Sequence, residues 1–304
     1  MESFRKAAKQ LKLEPIIHGT DSSLLSPGLE RCDVKHHMKQ LNDPGYLKQL
    51  FGVVKKHEID LIVPTIDTDL ADLANNREKL AKIGCRVATS NAQAVHICQD
   101  KRNMYKFMIE HGYDTPETMT VRNALLRKKP TWPVLLKPWD GAAGKGVMVA
   151  ENKQELDVLS KRIKNCMVQE YIKGEEYTCD VYVDNQMQVR CVVPRLRVEV
   201  RNGEVSKGRV VKDTEIMRIA AEVIEKLGAG PGVVTLQLIR SRTGEIKIIE
   251  INPRFGGGVP LSIKAGANFP KWMLEELIGK KPRIKFDGFT DGLVMLRYDS
   301  EVWI

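Results

Sequence analysis

The sequence lacks any long apolar run. No stretch of 18 apolar residues occurs among its 304 residues, so we expect no helix that crosses a membrane. The first fifteen residues, MESFRKAAKQLKLEP, also lack the apolar segment of a secretory signal. The chain is therefore expected to be a cytoplasmic protein without a membrane partner.

Paired cysteines and spaced histidines are missing as well. Six cysteines are scattered along the chain without a CxxC pair, at Cys32, Cys85, Cys98, Cys166, Cys179 and Cys191. This scatter favours free thiols in a reducing compartment over a zinc site or a disulfide framework. The six histidines, His36-His37 among them, show no ligand spacing and are interpreted as structural or surface residues.

The chain also lacks a long basic segment. It has 48 Lys and Arg residues against 39 Asp and Glu residues, a net charge of +9, yet the densest basic runs are only Leu126–Lys129 and Gly279–Lys281. Dispersed charge of this kind indicates a solvated surface, and we expect no nucleic-acid partner. Part of the excess can serve small anionic ligands.

What is present fits an ordinary globular protein of about two domains, with 42% hydrophobic and 29% charged residues. The first hundred residues alternate between helical and strand patterns, which predicts an α/β unit with a parallel sheet. Strands are predicted at 15–17, 60–64 and 86–88, and helices at 43–56, 69–83 and 91–112. The rest reads as α+β with mostly antiparallel strands, at 131–137, 146–150, 167–171, 177–183 and 188–193, and helices at 153–163, 214–227 and 271–278.

The most informative segment, VVTLQLIRSRTGEIKIIEINPR at 233–254, reads as two strands folded back at Thr243-Gly244. That turn predicts that Arg242 faces Glu245 and that Gln237 lies opposite Glu250.

Side chains alternate along a strand, so Asn252 should share the face of Glu250 while Ile249 and Ile251 point away. Gln237, Glu250 and Asn252 would then form a cluster of oxygen ligands, which suits Mg²⁺ shared with nucleotide phosphates.

A second segment, VLLKPWDGAAGKGVMV at 134–149, is rich in glycine. It is not a Walker loop, because Lys145 precedes Gly146, and it is not a dinucleotide loop, because Gly146 opens a strand. We interpret it as a glycine flap between antiparallel strands. The glycines alone favour a plain turn and a phosphate loop equally. Lys137, at the end of an apolar strand, favours the phosphate loop, because a lysine there must reach either solvent or an anion.

These residues, in this order, resemble the ATP-grasp superfamily, in particular the carbamoyl-phosphate-synthase-like ATP-grasp proteins. The resemblance is specific from about residue 94 to residue 261 and includes Cys98–Lys101, Val134–Pro138, the flap, Val168–Thr178, Gln237 and Glu250–Arg254. It implies a Rossmann-like pre-ATP-grasp domain at 1–93, whose first strand is either truncated or absent, followed by an ATP-grasp domain at 94–304. The ATP-grasp domain would divide into two α+β subdomains, at about 115–170 and about 171–304.

The resemblance also implies roles for single residues. Lys101 and Lys137 would contact phosphates, and the flap with Gly141, Gly144 and Gly146 would close over them. Gln169, Glu170 and Ile172 would line the adenine, with the backbone of Glu170 and Ile172 as hydrogen-bonding partners, and Glu176 would hold the ribose, Glu175 being the alternative. Gln237, Glu250 and Asn252 would bind Mg²⁺ or Mn²⁺, and Arg254 would act with Lys137 in catalysis.

The implied activity is an ADP-forming carboxylate–amine or carboxylate–thiol ligase, which activates a small carboxylate with ATP as an acyl phosphate for attack by an amine, ammonia or another nucleophile. Phosphorylation of bicarbonate or carbamate and a non-catalytic nucleotide-binding module remain alternatives. Arg195 and Arg197 are equally compatible with an acidic substrate and with surface ion pairs. Thr65, Asp67 and Asp69 follow a predicted strand and are candidates for a substrate pocket, although Asp69 could instead cap the next helix.

Overall fold

The computed structural model describes residues 1–141 and 144–304; Ala142 and Ala143, within the predicted flap, lie outside the described residues. Helices α1 to α10 span Glu2–Leu11, Tyr46–Lys56, Leu70–Ala81, Ala92–Gln99, Lys101–Glu110, Val121–Leu126, Lys153–Ser160, Thr214–Leu227, Val259–Lys264 and Phe269–Leu277. Strands β1 to β14 span His18–Asp21, Val34–His37, Leu61–Ile62, Arg86–Val87, Thr118–Thr120, Val134–Pro138, Met148–Ala150, Cys166–Glu170, Gly174–Val183, Val189–Arg201, Glu204–Val210, Gly232–Ser241, Ile246–Asn252 and Val294–Leu296. None of the helices so described has the length and apolar character to cross a bilayer.

The N-terminal region alternates helices with parallel strands, as predicted, but its strands form two separate pairs, β1 with β2 and β3 with β4. The strand predicted at 15–17 is wrong: β1 begins at His18, because the backbone N–H of Ile17 donates to the Asp33 carboxylate (2.7 Å). The buried strand predicted at 60–64 is reduced to Leu61 and Ile62, and both are half-buried. The expected domain division at residues 93 and 94 stays a prediction.

Three histidines from this region meet although their spacing gave no sign of it. The rings of His18 on β1, His36 on β2 and His57 after α2 have centroids 4.9–5.2 Å apart. Nδ1 of His18 lies 2.9 Å from Nε2 of His36. Burial lowers the pKa of both His18 and His36, and the nearby His57 lowers it further. Within the described ranges 1–141 and 144–304, no three or more His, Cys, Asp or Glu side chains come together in a group that could hold a metal ion.

This histidine cluster predicts that the protein loses stability in mild acid. A histidine whose pKa is lowered by folding stabilises the fold fully above the unfolded pKa of about 6.5, and this contribution is lost as the pH falls through the folded pKa. We expect the melting temperature to fall by about 1–2 °C more in the wild type than in His36→Asn between pH 7 and pH 5, a small effect because both rings are partly solvent-screened. Thermal melts followed by circular dichroism measure it. His96→Asn, at an exposed histidine, is the control. If the melting temperatures of His36→Asn and the wild type depended equally on pH, the prediction would be contradicted.

A small antiparallel sheet with strand order β5-β8-β6-β7 follows. Its apolar face packs on α6 and α7 through Leu136, Leu156 and Val168. The flap joins β6 and β7, as predicted, but β7 begins at Met148, so Gly146 lies in the turn and does not open the strand. The helical stretch predicted at 91–112 is two helices, because the extended backbone of Asp100 ends α4 and its carboxylate accepts from the Arg102 N–H at the start of α5. Lys101 is thereby the first residue of α5.

The large antiparallel sheet has the strand order β13-β12-β9-β10-β11-β14. Helix α8 covers it and begins and ends where predicted, with Asp213 capping its N-terminus and Gly228 in the left-handed conformation at its C-terminus. The strand predicted to end at residue 193 continues to Arg201, and β11 and β14 were not predicted. Charged residues interrupt the apolar alternation at the end of β10 and in β11, and β14 has only three residues, too few to show a period of two.

The hairpin of β12 and β13 shows two deviations that cancel. Near the turn the N–H of Ser241 donates to the Glu245 carbonyl (2.8 Å), so the predicted pairing of Arg242 with Glu245 is wrong by one residue. A bulge on β13 then restores the predicted register, and Gln237 lies opposite Glu250. Because of the bulge, Ile249 lines the cleft beside Glu250, which the prediction did not foresee, whereas Ile251 borders the cleft but is buried in the hydrophobic core.

Close approach of β9 to β12 requires glycine at position 174. A Cβ there would lie 2.1 Å from the carbonyl oxygen of Arg240. Gly174→Ala is therefore expected to lower the free energy of unfolding by about 2–4 kcal/mol, measured by urea denaturation. Gly52→Ala in α2, where nothing lies within 4 Å of the added Cβ, should instead raise it by about 0.5–1 kcal/mol. Equal stability of the two variants would show that the pairing is looser than described.

Candidate active site

A cleft of about 770 Å³ lies between the small and large sheets and is bordered by the N-terminal region. The residues expected to bind nucleotide and metal or to act in catalysis line this cleft, except Gly146 and the alternative ribose residue Glu175. The lining set comprises Lys101, Lys137, Gly141, Gly144, Gln169, Glu170, Ile172, Glu176, Gln237, Glu250, Asn252 and Arg254. Residues that are far apart in the sequence thus surround one space.

The large sheet presents polar side chains to this cleft in rows. Residues opposite each other on antiparallel strands project to the same face, and neighbouring strands lie about 4.8 Å apart. One row runs across four strands, Glu250–Gln237–Thr178–Arg195. The next row runs Asn252–Thr235–Asp180–Val193. The predicted metal-binding side chains therefore occupy one corner of a polar grid.

Glu250, Asn252 and Gln237 form that corner. Nδ2 of Asn252 donates to Oε1 of Glu250 (2.9 Å), and Nζ of Lys101 lies 4.0 Å from Oε2 of the same carboxylate. The donor set, one carboxylate and two amides open to the cleft, fits a hard divalent cation such as Mg²⁺. Turning the Asn252 amide by half a rotation presents its oxygen to such an ion.

Two lysines stand beside this corner. Lys137, near the end of β6, is only 5% exposed. Burial lowers its pKa to about 8, and the Glu250 carboxylate opposes that shift. Nζ of Lys101 donates to the carbonyl of Gly141 at the base of the flap. A buried lysine beside a single carboxylate leaves cationic charge available to an anionic ligand.

Arg254, just after β13, is held by a residue 187 positions away. Its Nε donates to Oδ1 of Asp67 (2.7 Å), and its Nη2 donates to the other oxygen of that carboxylate. Asp67 lies at the carboxyl end of β3 and lines the cleft, as predicted, whereas Thr65 and Asp69 do not line it. Asp69 occupies the N-cap position of α3 without a side-chain hydrogen bond, and burial raises its pKa to about 6.

Comparison with known proteins places this geometry in a family. The model of the ATP-grasp domain matches residues 98–258, more than half of the chain. The chain belongs to the ATP-grasp family. A second model, the PylC-like N-terminal domain, matches residues 1–88 of this ATP-grasp protein.

Among curated relatives, the carbamoyl phosphate synthase large chain of Gemmatimonas aurantiaca is 26% identical over 243 residues, which is 72% of this chain and 22% of the relative. This ATP-grasp chain thus spans about a fifth of that relative's length. A D-alanine–D-alanine ligase of Bacillus anthracis is 23% identical over 197 residues, covering 59% of this chain and 64% of the relative.

Two solved structures share the ATP-grasp fold of the chain. The biotin carboxylase domain of the Hydrogenobacter thermophilus 2-oxoglutarate carboxylase, in complex with MgADP, ADP and bicarbonate, has a TM-score of 0.75 at 18% identity and covers 96% of this chain and 70% of that one. The L-amino acid ligase of Bacillus licheniformis has a TM-score of 0.71 at 18% identity and covers 94% of this chain and 73% of that one.

In this ATP-grasp chain the small sheet connects to the large sheet after Glu170, the last residue of β8. Its carboxylate accepts from Nζ of Lys247 at both oxygens (3.0 and 2.9 Å) and from the Glu117 N–H (3.1 Å). Its own N–H donates to the Glu117 carbonyl (2.8 Å), so this N–H is not available to the adenine, contrary to the prediction. The Gln169 side chain donates to Thr118 Oγ1 (2.9 Å), which fixes its amide. Lys247 had not been predicted.

Of the two glutamates considered for the ribose, Glu176 lines the cleft, whereas Glu175 accepts a hydrogen bond from the Tyr177 hydroxyl (2.8 Å). Oε1 of Glu176 lies 3.1 Å from Nε of Arg197, at an angle that does not make a hydrogen bond. Burial raises the pKa of Glu176, and the Arg197 charge opposes this. Arg197 also donates to the Gly203 carbonyl (3.1 Å). The geometry favours Glu176 as the residue that faces a ligand.

Arg195 is buried, so the interpretation of a surface ion pair is wrong for it. Its Nε and Nη2 donate to the two oxygens of Asp180 (2.7 and 2.9 Å), and Ser262 Oγ also donates to that carboxylate. Arg195 is 2% exposed and Asp180 and Ser262 are fully buried, yet Arg195 forms part of the cleft wall. Thr178 and Asp180 were not predicted from the sequence, although the polar alternation Glu176-x-Thr178-x-Asp180 on β9 could have revealed them.

Proposed function

We propose that this chain is an ATP- and Mg²⁺-dependent ligase that converts a small carboxylate into an acyl phosphate, which an amine or ammonia then attacks. The observation that carries the proposal is the convergence of the Gln237, Glu250 and Asn252 corner with Lys137 and Arg254 around one cleft. The two anionic reactants repel each other in water, and this arrangement of cations offsets that repulsion.

In the proposed reaction a carboxylate oxygen attacks the γ-phosphorus of ATP and ADP leaves. The amine nitrogen then attacks the acyl carbon, inorganic phosphate leaves, and the nitrogen loses its proton to solvent. Gln237, Glu250 and Asn252 would hold Mg²⁺ (or Mn²⁺), which neutralises phosphate charge when bound.

The chain's own residues have separate tasks in this scheme. Lys101 and Lys137 would bind the phosphates, and Glu176 would hold the ribose. Arg254, oriented by Asp67, would stabilise the phosphoryl group in transfer. The flap glycines Gly141, Gly144 and Gly146 would bring backbone N–H groups over the phosphates and exclude water, which would otherwise hydrolyse the acyl phosphate.

The relatives support an amide-forming ligase, since two of them are named for joining amino acids. A second candidate, phosphorylation of bicarbonate, is favoured by the likeness to carbamoyl phosphate synthase over 72% of the chain. A cytoplasmic location, with no nucleic-acid partner, is part of the proposal, since ATP is available there and the six cysteines are free thiols.

An ADP-release assay with Mg²⁺ and hydroxylamine tests the proposal. Hydroxylamine intercepts acyl phosphates as hydroxamates, so the identity of the amine need not be known. Across a panel of amino acids, dicarboxylates and simple carboxylic acids we expect ADP and hydroxamate in equal amounts with at least one acid. ADP release that depends on bicarbonate alone would select the second candidate. No ADP above the rate without acid, across the whole panel and bicarbonate, would contradict both.

A further inference from the structure

The polar row of the large sheet continues beyond the residues used above. Thr178 lies beside Gln237, and Arg195 lies beside Thr178 on the next strand. Both line the cleft, and they are only 3% and 2% exposed. Within residues 1–141 and 144–304, Oγ1 of Thr178 has no hydrogen-bond partner. A buried hydroxyl without a partner on a cleft wall indicates a polar group that arrives with a ligand.

Arg195 also has donors to spare. Asp180 accepts from its Nε and Nη2, and Ser262 completes the coordination of that carboxylate. Nη1 makes no hydrogen bond to any side chain or carbonyl in the described part of the protein. It is directed at Gly258, where a Cβ would lie only 2.2 Å from it. The glycine therefore leaves room for the free edge of the guanidinium.

The same glycine segment brings one opposing charge. A Cβ at Gly257 would lie 2.1 Å from Oε2 of Glu204, so this carboxylate borders the loop. Glu204 is largely solvent-exposed, and Nη1 of Arg297 lies 3.6 Å from it. Solvent and Arg297 therefore weaken its repulsion of an anion, whereas the buried Arg195 donors are not screened in this way.

We propose that Arg195 and Thr178 form a subsite for a substrate carboxylate that is not phosphorylated. The inference rests on the ligase function proposed above and names its substrate class: at least one of the two substrates is an amino acid or a dicarboxylate. Arg195 is two strands, about 10 Å, from Gln237, so the subsite is separate from the carboxylate that reacts at the metal corner. A carboxylate there accepts from Arg195 Nη1 and Thr178 Oγ1 and satisfies both.

Binding measurements test the subsite without requiring turnover. Isothermal titration of the protein saturated with MgADP compares matched pairs that differ by one carboxylate: alanine with ethylamine, glutamate with 4-aminobutyrate, lysine with 1,5-diaminopentane, and succinate with propionate. We expect the extra carboxylate to tighten binding at least about tenfold in one or more pairs, as for a charge-assisted contact in a buried site. Equal affinity within every pair would overturn the proposal.

Variants show whether the gain comes from this subsite. Arg195→Lys keeps the positive charge beside Asp180 but removes the Nη1 donor that would bind the substrate carboxylate. Thr178→Val keeps the shape of the side chain but removes its hydroxyl. Each should reduce the gain, Arg195→Lys to less than about twofold. Should Arg195→Lys not fold, Thr178→Val and the double variant Arg195→Gln/Asp180→Asn, which buries no unpaired charge, decide the matter. A gain that persists in the folded variants would overturn the proposal.

Arg240→Lys serves as the matched control. Arg240 makes a comparable two-pronged pair with Asp213 (2.6 and 3.2 Å), away from the cleft lining. Arg240→Lys should leave the increase in affinity from the extra carboxylate unchanged. If Arg240→Lys lowers it as much as Arg195→Lys does, the Arg195 effect is general destabilisation and the proposal is overturned.

The pair that shows the gain also identifies which substrate carries the extra carboxylate. A gain confined to amino acids over amines assigns it to the nucleophile, and a gain for succinate assigns it to the acid that is activated; both support the subsite. If the extra carboxylate tightens binding but no ADP forms, the ligase function is rejected and the subsite is retained. If ADP forms but the extra carboxylate does not tighten binding, only the subsite is rejected.

Discussion

Replacing Glu250 with glutamine is expected to lower the rate of ADP formation about 10³-fold while the fold persists. Glu250 supplies the carboxylate of the corner formed with Gln237 and Asn252, and it lies 4.0 Å from the Lys101 ammonium. Glutamine keeps the shape of the side chain and removes the charge that a divalent cation requires. A loss of about 4 kcal/mol of transition-state stabilisation corresponds to this decrease.

The measurement is a coupled assay of ADP release at saturating ATP, with urea unfolding as the check on the fold. Glu245→Gln is the matched control, because Glu245 lies exposed near the turn of the same hairpin. Its rate should stay within about twofold of the wild type. A Glu250→Gln enzyme that turns over at the wild-type rate would refute the metal role of this residue.

Replacing Arg254 with lysine is expected to lower kcat about 10²-fold and to change the apparent affinity for ATP much less. The guanidinium makes a two-pronged pair with Asp67, which fixes its direction beside the metal corner. Lysine retains a positive charge but cannot keep the pair and face the cleft at once. An interaction made chiefly in the transition state is lost mainly from kcat.

Steady-state kinetics with varied ATP separates these parameters. Asp67→Asn should lower kcat by a smaller factor, about tenfold, because Arg254 keeps its charge but loses its orientation. Arg242→Lys, at the exposed turn, is the control and should behave as the wild type. An Arg254→Lys variant that changes KM for ATP alone would place this residue in nucleotide binding and contradict the catalytic role.

The sequence predicts local features of this site well. Helix α8 lies at the predicted residues because Asp213 and Gly228 are unambiguous caps. The pair Gln237–Glu250 is also correct, although the assumed turn is off by one residue, since the bulge compensates for it. Period-two alternation is sufficient to place Asn252 on the face of Glu250, because the strand is regular between them.

Contacts between distant segments could not be predicted in the same way. Asp67 and Arg254 are 187 residues apart, and neither the strand before Asp67 nor the motif around Arg254 specifies the other. The pairing of Arg195 with Asp180 depends on the register of β9 and β10, and the charged end of β10 hid the length of that strand. The histidine cluster needs two strands and a helix end to meet. Such contacts arise from tertiary packing, which spacing within one segment does not report.

The proposed function depends most on Glu250 and Asn252 holding a divalent cation together with ATP. A crystal structure with Mg²⁺ and a non-hydrolysable ATP analogue tests it directly. The account predicts the nucleotide in the cleft between the two sheets and Mg²⁺ about 2.0–2.1 Å from oxygens of both side chains. A nucleotide bound elsewhere, or a cation that contacts neither Glu250 nor Asn252, would contradict it.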